Sequence, residues 1–201
     1  NLTSRNFYVP GVIASIVMLV TLLLTSMSVV REKEMGTMEQ IVVTPITSAE
    51  FILGKTMPSI ILGFVNMILV TLISVFWFDI PVRGSMVTLL VANGFYLMTT
   101  IGTGLYISTI SDTQQQAMMS AFFFYLPAVL LSGFMFPIAN MPDVVQVFTY
   151  LNPLRYFLII IRGIFLKGVG VAVLWPQMLA LLILGSLVLT LAVKRFHKNI
   201  A

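Results

Sequence analysis

Read for hydrophobicity alone, the chain alternates long apolar runs with short polar breaks. A spanning helix needs about 20 mostly apolar residues, and five runs meet that test: residues 9–30, 57–78, 85–110, 117–136 and 171–193. The pattern predicts an all-α polytopic membrane protein with five transmembrane helices. Pro10 falls near the first turn of the first run, where proline is tolerated, and Pro58 is expected to bend the opening turns of the second. The third run is rich in small residues, with Gly94, Gly102 and Gly104 among threonines, which suits close helix packing in lipid. Asn66 and Asn93 lie inside the second and third runs, where a hydrogen bond between helices is the plainer reading and a polar pathway the sharper one. In the fourth run Pro127, then Ser132 and Gly133, predict a kink or an unwound stretch.

The longest polar break, residues 31–55, interrupts this pattern abruptly, with Arg31, Glu32, Lys33 and Glu34 following an uncharged run. Charges at the bilayer centre cost roughly 2.5–3.5 kcal/mol each on insertion scales, so the chain leaves hydrocarbon here. At helical spacing Met35, Met38 and Val42 share one face and Lys33, Thr37 and Gln40 the other, which predicts a short amphipathic helix over residues 34–43. Pro45 stops it. Thr47 and Glu50 then have capping-box spacing, with Ile46 and Phe51 placed as a hydrophobic staple, so a second helix starts at once. The blander reading of the same residues is a solvated loop between spans.

Two smaller breaks complete the pattern. Ser111 and Gln114 have capping-box spacing in a turn over residues 111–116. Residues 137–170 mix prolines, aromatics and charges, and the apolar stretch 156–165 is too short to span and holds Arg162. It reads as an extracellular re-entrant or interfacial segment. With an odd number of spans, Arg31, Lys33, Lys55, Lys194, Arg195 and Lys198 share one side, and charges close to clear span ends make that side cytoplasmic.

Composition sharpens the class: the chain is 59% hydrophobic and 9% charged, against a soluble norm near 45–50% and about 25%. The net charge of +4 comes from residues scattered at span ends rather than gathered on one face, so it reports membrane topology and not nucleic acid. With no cysteine and one histidine, disulfides, thiol chemistry and a zinc-type cluster are excluded.

The run from Val30 through Arg31, Glu32, Lys33, Glu34, Gly36, Thr37, Glu39 and Gln40, then Thr44 and Pro45, then Gly54 and Lys55, resembles the cytosolic segment after the second span in membrane subunits of type 2 ATP-binding-cassette exporters. Ser111, Thr113, Gln115 and Ala117 are similar to the second cytosolic turn of that family. The outer re-entrant region is matched by Ser132, Gly133, Pro137, Met141, Pro142, Asn152, Pro153, Tyr156, Arg162 and Gly168. The resemblance implies that residues 31–55 form a coupling helix seated on a cytosolic ATP-binding subunit, with Arg31, Glu32, Glu34, Gly36, Thr37, Glu39, Thr44 and Pro45 at that contact. It implies spans two to six of a six-span subunit, the first span and an outer domain lying outside these residues. It also implies a second permease subunit, in a homo- or heterodimer within a bacterial inner membrane.

Candidate chemistry agrees with a transport rather than a catalytic role. No GxxxxGK[ST] string occurs, so the resemblance places ATP and Mg on the partner ATPase, with no cofactor on this chain. No Asp, Glu or His sits deep in a predicted span, which disfavours an ion-coupled carrier. Nor is there a GxSxG or HExxH arrangement for intramembrane catalysis. The expected function is the permease part of an ATP-driven exporter of hydrophobic or amphipathic small molecules. The alternatives are an exporter of lipids or lipid-linked glycans, and a polytopic scaffold or channel without ATP.

Overall fold

A computed structural model describes residues 2–37, 45–80 and 82–200, and among them the regular structure is helical. The helices are α1 (Leu2–Glu34), α2 (Ser48–Phe76), α3 (Met86–Ile110), α4 (Gln114–Leu130), α5 (Asp143–Thr149), α6 (Pro153–Arg162) and α7 (Val171–Ile200). A short 3-10 turn, Ile138–Asn140, precedes α5, and a π-helical turn, Gly163–Lys167, prolongs α6.

Four of these helices, α1, α2, α3 and α7, are long and apolar enough to cross a membrane; α5 and α6, bent by 79° at their junction, make a fifth only if the pair counts as one span. The protein is therefore an all-α polytopic membrane protein. The expected fourth span is the element that departs from the pattern. Its helix is 17 residues long and stops at Leu130, a length of about 25 Å against a hydrocarbon core of about 30 Å. Local chemistry accounts for the stop. Ser132 turns its hydroxyl to Val129 O at 2.7 Å, and Gly133 adopts φ +81°, a left-handed conformation that glycine takes without a Cβ penalty.

The outer helices run past the expected ends. α1 begins well before residue 9, so Pro10 lies two turns inside it, and it carries Arg31 and Lys33 in its last turn. α2 is continuous from Ser48, with Pro58 inside, and α7 continues through its basic residues to Ile200. Hydropathy marks where lipid ends; the helical ladder has no reason to stop there while its backbone groups remain paired.

The bundle is built around α3, which packs most extensively on α7 and α1 and also touches α2, α4 and α6. Its glycines explain the approach. A Cβ on Gly104 would lie 2.8 Å from Thr25 Cβ and 3.1 Å from Leu22 O of α1, and one on Gly102 would lie 3.0 Å from Leu189 N of α7. At these two positions the expectation of a packing helix is met in detail. Hydroxyls bridge the same seam: Thr21 donates to Thr100 Oγ1 at 3.1 Å, and Ser108 Oγ accepts from the amides of Val29 and Val30 at 3.0 and 2.9 Å. Such bonds keep polar groups satisfied where lipid offers no partner. Asn93, by contrast, is fully buried, and its amide has no hydrogen-bond partner among the described residues. It forms neither an interhelical bond nor an exposed lining.

At mid-depth Tyr96 donates to Ala14 O at 3.1 Å and stacks on Phe157 of α6, ring centroids 4.2 Å apart. Here α1, α3 and α6 bury Ile13, Ala14, Val17, Leu89, Phe157 and Ile161 together.

Contacts at the helix ends fix the handing of the chain. Lys33 of α1 donates to Thr109 O of α3 at 3.0 Å, Glu34 accepts from Gln114 of α4, and Phe196 of α7 stacks on Phe51 of α2 with centroids 5.4 Å apart. The ends of α1, α3 and α7 therefore meet the beginnings of α2 and α4. At the opposite end Gly84 N donates to Ile164 O at 2.9 Å, and Tyr8 lies edge-on to Phe134 at 6.2 Å. α4 starts at the Glu34 end and α7 finishes there.

Candidate functional site

The last turn of α1 shows why residues 31–37 form a fixed corner. Gly36 takes φ +72°; its amide donates to Lys33 O at 3.2 Å, and that of Thr37 donates to Glu32 O at 3.1 Å. This 5→2 and 6→1 pair is a Schellman stop, which favours glycine at the left-handed residue. The expected amphipathic helix over residues 34–43 is thus broken at its start by Gly36. Glu39 and Thr44, with the rest of residues 38–44, lie outside the described residues.

Side chains lock the corner to its neighbours. Glu32 is buried; one carboxylate oxygen forms an ion pair with Lys55 of α2 and the other accepts from the Thr37 hydroxyl. Lys33 donates to Thr109 O at 3.0 Å and to Ser111 O at 3.4 Å, placing a cation on terminal carbonyls of α3 as the helix dipole favours. Glu34 accepts from the amide of Gln114 at 3.1 Å and from its side chain at 2.8 Å. A carboxylate at the first turn of α4 meets orphan N–H groups there. Arg31 and Met35 remain exposed beside this corner.

The two helix starts are capped by sequence. Thr47 and Glu50 form the expected capping box: Glu50 N donates to Thr47 Oγ1 at 3.3 Å and Thr47 N donates to Glu50 Oε2 at 2.8 Å. Pro45 and Ile46 just before it are exposed. In the second turn the cap differs from the Ser111–Gln114 expectation. Thr113 is the cap, accepting from Gln116 N at 3.2 Å, and Gln116 Oε1 accepts from Asp112 N at 2.9 Å. Ser111 instead ends α3, its hydroxyl donating to Ile107 O at 2.8 Å. Both spacings satisfy the same motif, and the position at which the chain leaves α3 decides between them. Gln115 points to the exposed side.

Arg31, Glu32, Glu34, Gly36, Thr37 and Pro45 therefore share one end of the bundle with Ser111, Thr113 and Gln115. Lys33, Lys55 and Gln114, which hold them together, were not marked as site residues by the sequence. Lys55 carries a signal in its one-side clustering with Arg31, whereas Gln114 acts through a contact across 80 residues that no local pattern announces.

The second candidate set, Gly133, Pro137, Pro142, Asn152, Pro153 and Arg162, lies on the Phe7 side. Asn152 caps α6, accepting from Leu154 N at 3.1 Å ahead of Pro153 at the first helical position, where proline fits. Its amide donates to Ala128 O at 2.6 Å, a carbonyl left over where Ser132 N turns to Val129 O instead. Pro137 and Pro142 precede the 3-10 turn and α5. Arg155 donates to Thr149 Oγ1 and lies over the Tyr150 ring at 4.0 Å. Arg162 lies over the Phe7 ring at 3.8 Å and reaches Gly133 O at 3.4 Å.

The described residues thus form a multi-span helical membrane domain whose charged corner joins two turns at one end, with the bent pair α5 and α6 toward the other. Residues 1–166 match the ABC-2 type transporter family, and the chain belongs to it. It is 34% identical to the probable multidrug ABC transporter permease YbhR of Escherichia coli K12 over 200 residues, which is 100% of this chain and 54% of that protein. Identity to the probable multidrug ABC transporter permease YbhS of the same strain is 41% over 169 residues, 82% of this chain and 44% of that one. The inner membrane transport permease YhhJ matches at 30% over 194 residues, 96% of this chain and 51% of that protein. The chain thus spans about half the length of these relatives.

Proposed function

We propose that these residues form the membrane core of the permease subunit of an ATP-driven exporter in a bacterial inner membrane, moving hydrophobic or amphipathic small molecules out of the cytoplasm. The names of YbhR and YbhS support the substrate class, and membership of the family supports a partner ATPase that binds ATP and Mg and a second permease subunit. The observation that carries the reading is the Glu34 bracket: one carboxylate ties the corner after α1 to the start of α4. A push on the corner is then transmitted to two helices together with α2, which Lys55 attaches to Glu32. Residues 31–55 serve as the coupling segment, and Arg31, Met35, Pro45 and Gln115, exposed in the structure, form part of the surface offered to the ATPase.

The re-entrant reading of residues 137–170 is supported by chain direction. α4 enters from the Glu34 side and α7 ends there beside Phe51, which favours an excursion of α5 and α6 over a net crossing. Nucleotide binding would close the ATPase pair, and the bracketed helices would exchange inward for outward access as a population shift.

Glu34→Ala tests this. ATP-dependent uptake of a fluorescent amphipathic cation into inverted vesicles is expected to fall at least tenfold, with membrane insertion and ATPase expression unchanged. Uptake at the wild-type rate would contradict the bracket and favour the scaffold or channel reading.

A further inference from the structure

Between α2 and α7, with α3 as its floor, lies a slot of about 480 Å³. Leu53 and Ile60 of α2 and Val193 of α7 form its sides, and Leu97, Ile101 and Leu105 of α3 form the floor. Aromatic rings mark both of its ends. Toward the Glu34 end, Phe51 of α2 stacks on Phe196 of α7 with centroids 5.4 Å apart. At mid-depth the Phe64 ring lies against Gly94, 3.6 Å from where a Cβ there would sit. The one hydroxyl in the lining, that of Thr56, already donates to Ile52 O at 2.9 Å. A bound water needs about two to four polar partners, so the slot is dry, and close-packed proteins leave few voids of this size empty. Hydrocarbon has to fill it.

The depth of the slot says which hydrocarbon. Along α3 it runs from Leu105 to Gly94, about 17 Å at the helical rise, and one leaflet of the hydrocarbon core is about 15 Å deep. We propose that the slot holds one acyl chain of a phospholipid from the leaflet on the Arg31 side. It opens sideways past Leu53, which is 60% exposed, so a chain enters from lipid and not from the aqueous end, where Phe51 and Phe196 meet. A free hydrocarbon has nothing to hold it in one leaflet. A phospholipid is anchored at head-group level, and its chain ends near the midplane, where Phe64 closes the slot. Charge favours the same ligand. Lys194 and Lys198, one turn apart on α7 just beyond Val193, are exposed and form no ion pair among the described residues, so a phosphate at that level meets cations. Glu50, beside Ala49 of the lining, is engaged by Thr47. Contact on three sides separates this chain from lipid lying on convex helix faces, because dispersion grows with the number of atoms touched. The site involves neither the Glu34 corner nor the ATPase, so it stands whether or not the exporter reading does.

The test is photolabelling of the full-length permease in vesicles of phosphatidylethanolamine and phosphatidylglycerol, with a trace of phosphatidylglycerol carrying a diazirine midway along one chain, followed by peptide mapping. Label at Ile60 and Met98, both in the lining, is expected at least fivefold above that at Ile61 of α2 and Met119 of α4, which are 59% and 53% exposed and lie outside the slot. A tag at the end of the chain is expected to move the label to Phe64. Gly94→Leu fills the deep end, where Phe64 alone stands near the added Cβ, and Leu53→Trp covers the opening. Each is expected to lower the label at Ile60 and Met98 at least fivefold, leaving that at Ile61 and the thermal midpoint unchanged. If Gly94→Leu does not fold, the Leu53→Trp result decides. Label spread evenly over Ile60, Ile61 and Met119, or slot label indifferent to the folded variants, would overturn the proposal and leave ordinary boundary lipid. Stronger slot label from a diazirine-tagged free fatty acid at equal concentration would overturn the phospholipid assignment.

Discussion

Glu32 is the residue on which the corner depends. It is 8% exposed, and its two carboxylate oxygens are divided between Lys55 and Thr37. Removing one partner of a pair that is largely out of water leaves the other unpaired, at a cost of about 1–3 kcal/mol for a group that retains some solvent. Glu32→Gln is therefore expected to lower the thermal unfolding midpoint in detergent by several degrees. The exchange Glu32→Lys with Lys55→Glu is expected to recover part of that loss. An unchanged midpoint in Glu32→Gln would mean that the pair contributes nothing to the fold. Glu34, two residues on, is exposed and its bonds to Gln114 are solvent-accessible, so its replacement is expected to leave the midpoint nearly unchanged. The two acids thus separate stability from transmission.

At the scale of elements, the corner between α5 and α6, bent by 79°, depends on Asn152 at the junction. One side chain caps α6 and satisfies Ala128 O of α4, and Asn152 is itself 7% exposed. Asn152→Ala removes both bonds and strands a carbonyl, at roughly 1–3 kcal/mol. The expected outcome is faster hydrogen exchange confined to residues 150–156, with α1 to α3 unaffected, and protection equal to wild type would contradict the role. Much of this level was legible in sequence. The capping box at Thr47, the packing glycines of α3 and the short apolar stretch around α6 all follow from local chemistry. What was not legible depended on partners distant in sequence. Hydropathy alone carries the fourth run past Leu130, whereas Ser132 and Gly133, read in the sequence as a kink or unwound stretch, mark where the ladder stops. Nor could hydropathy assign the cap of α4, since two threonine or serine spacings compete. The resemblance places Glu34 at a contact with another protein, and nothing local in the sequence marks its bond to Gln114, 80 residues away.

At the scale of the whole molecule, side-chain bonds tie the Glu34 end, while cavities occur toward both ends: one of about 480 Å³ between α2, α3 and α7 reaches Ala49 and Val193, and one of about 420 Å³ lies beside Phe7. The Glu34 end joins α1 to α2 through an ion pair, to α3 through Lys33 and to α4 through Glu34. The Phe7 end holds the bent pair α5 and α6, Arg162 with two donors unpaired among the described residues, and an apolar cavity. In the proposed mechanism these ties would let a push at the Glu34 end move α1, α2, α3 and α4 together. The tie along α3 is the stiff part, because Gly102 and Gly104 bring its backbone within van der Waals contact of α7 and α1.

The central claim is that the corner after α1 is pressed by a cytosolic ATPase. Met35 is 54% exposed and follows Glu34 directly, and these 201 residues contain no cysteine, so a single Cys at this position is a clean probe. In the full-length permease with its partner ATPase, Met35→Cys is expected to crosslink to the ATPase with a yield that changes at least severalfold between ATP-bound and nucleotide-free conditions. A properly inserted protein that gives no crosslink at Met35 or at Pro45→Cys in either condition would contradict the claim.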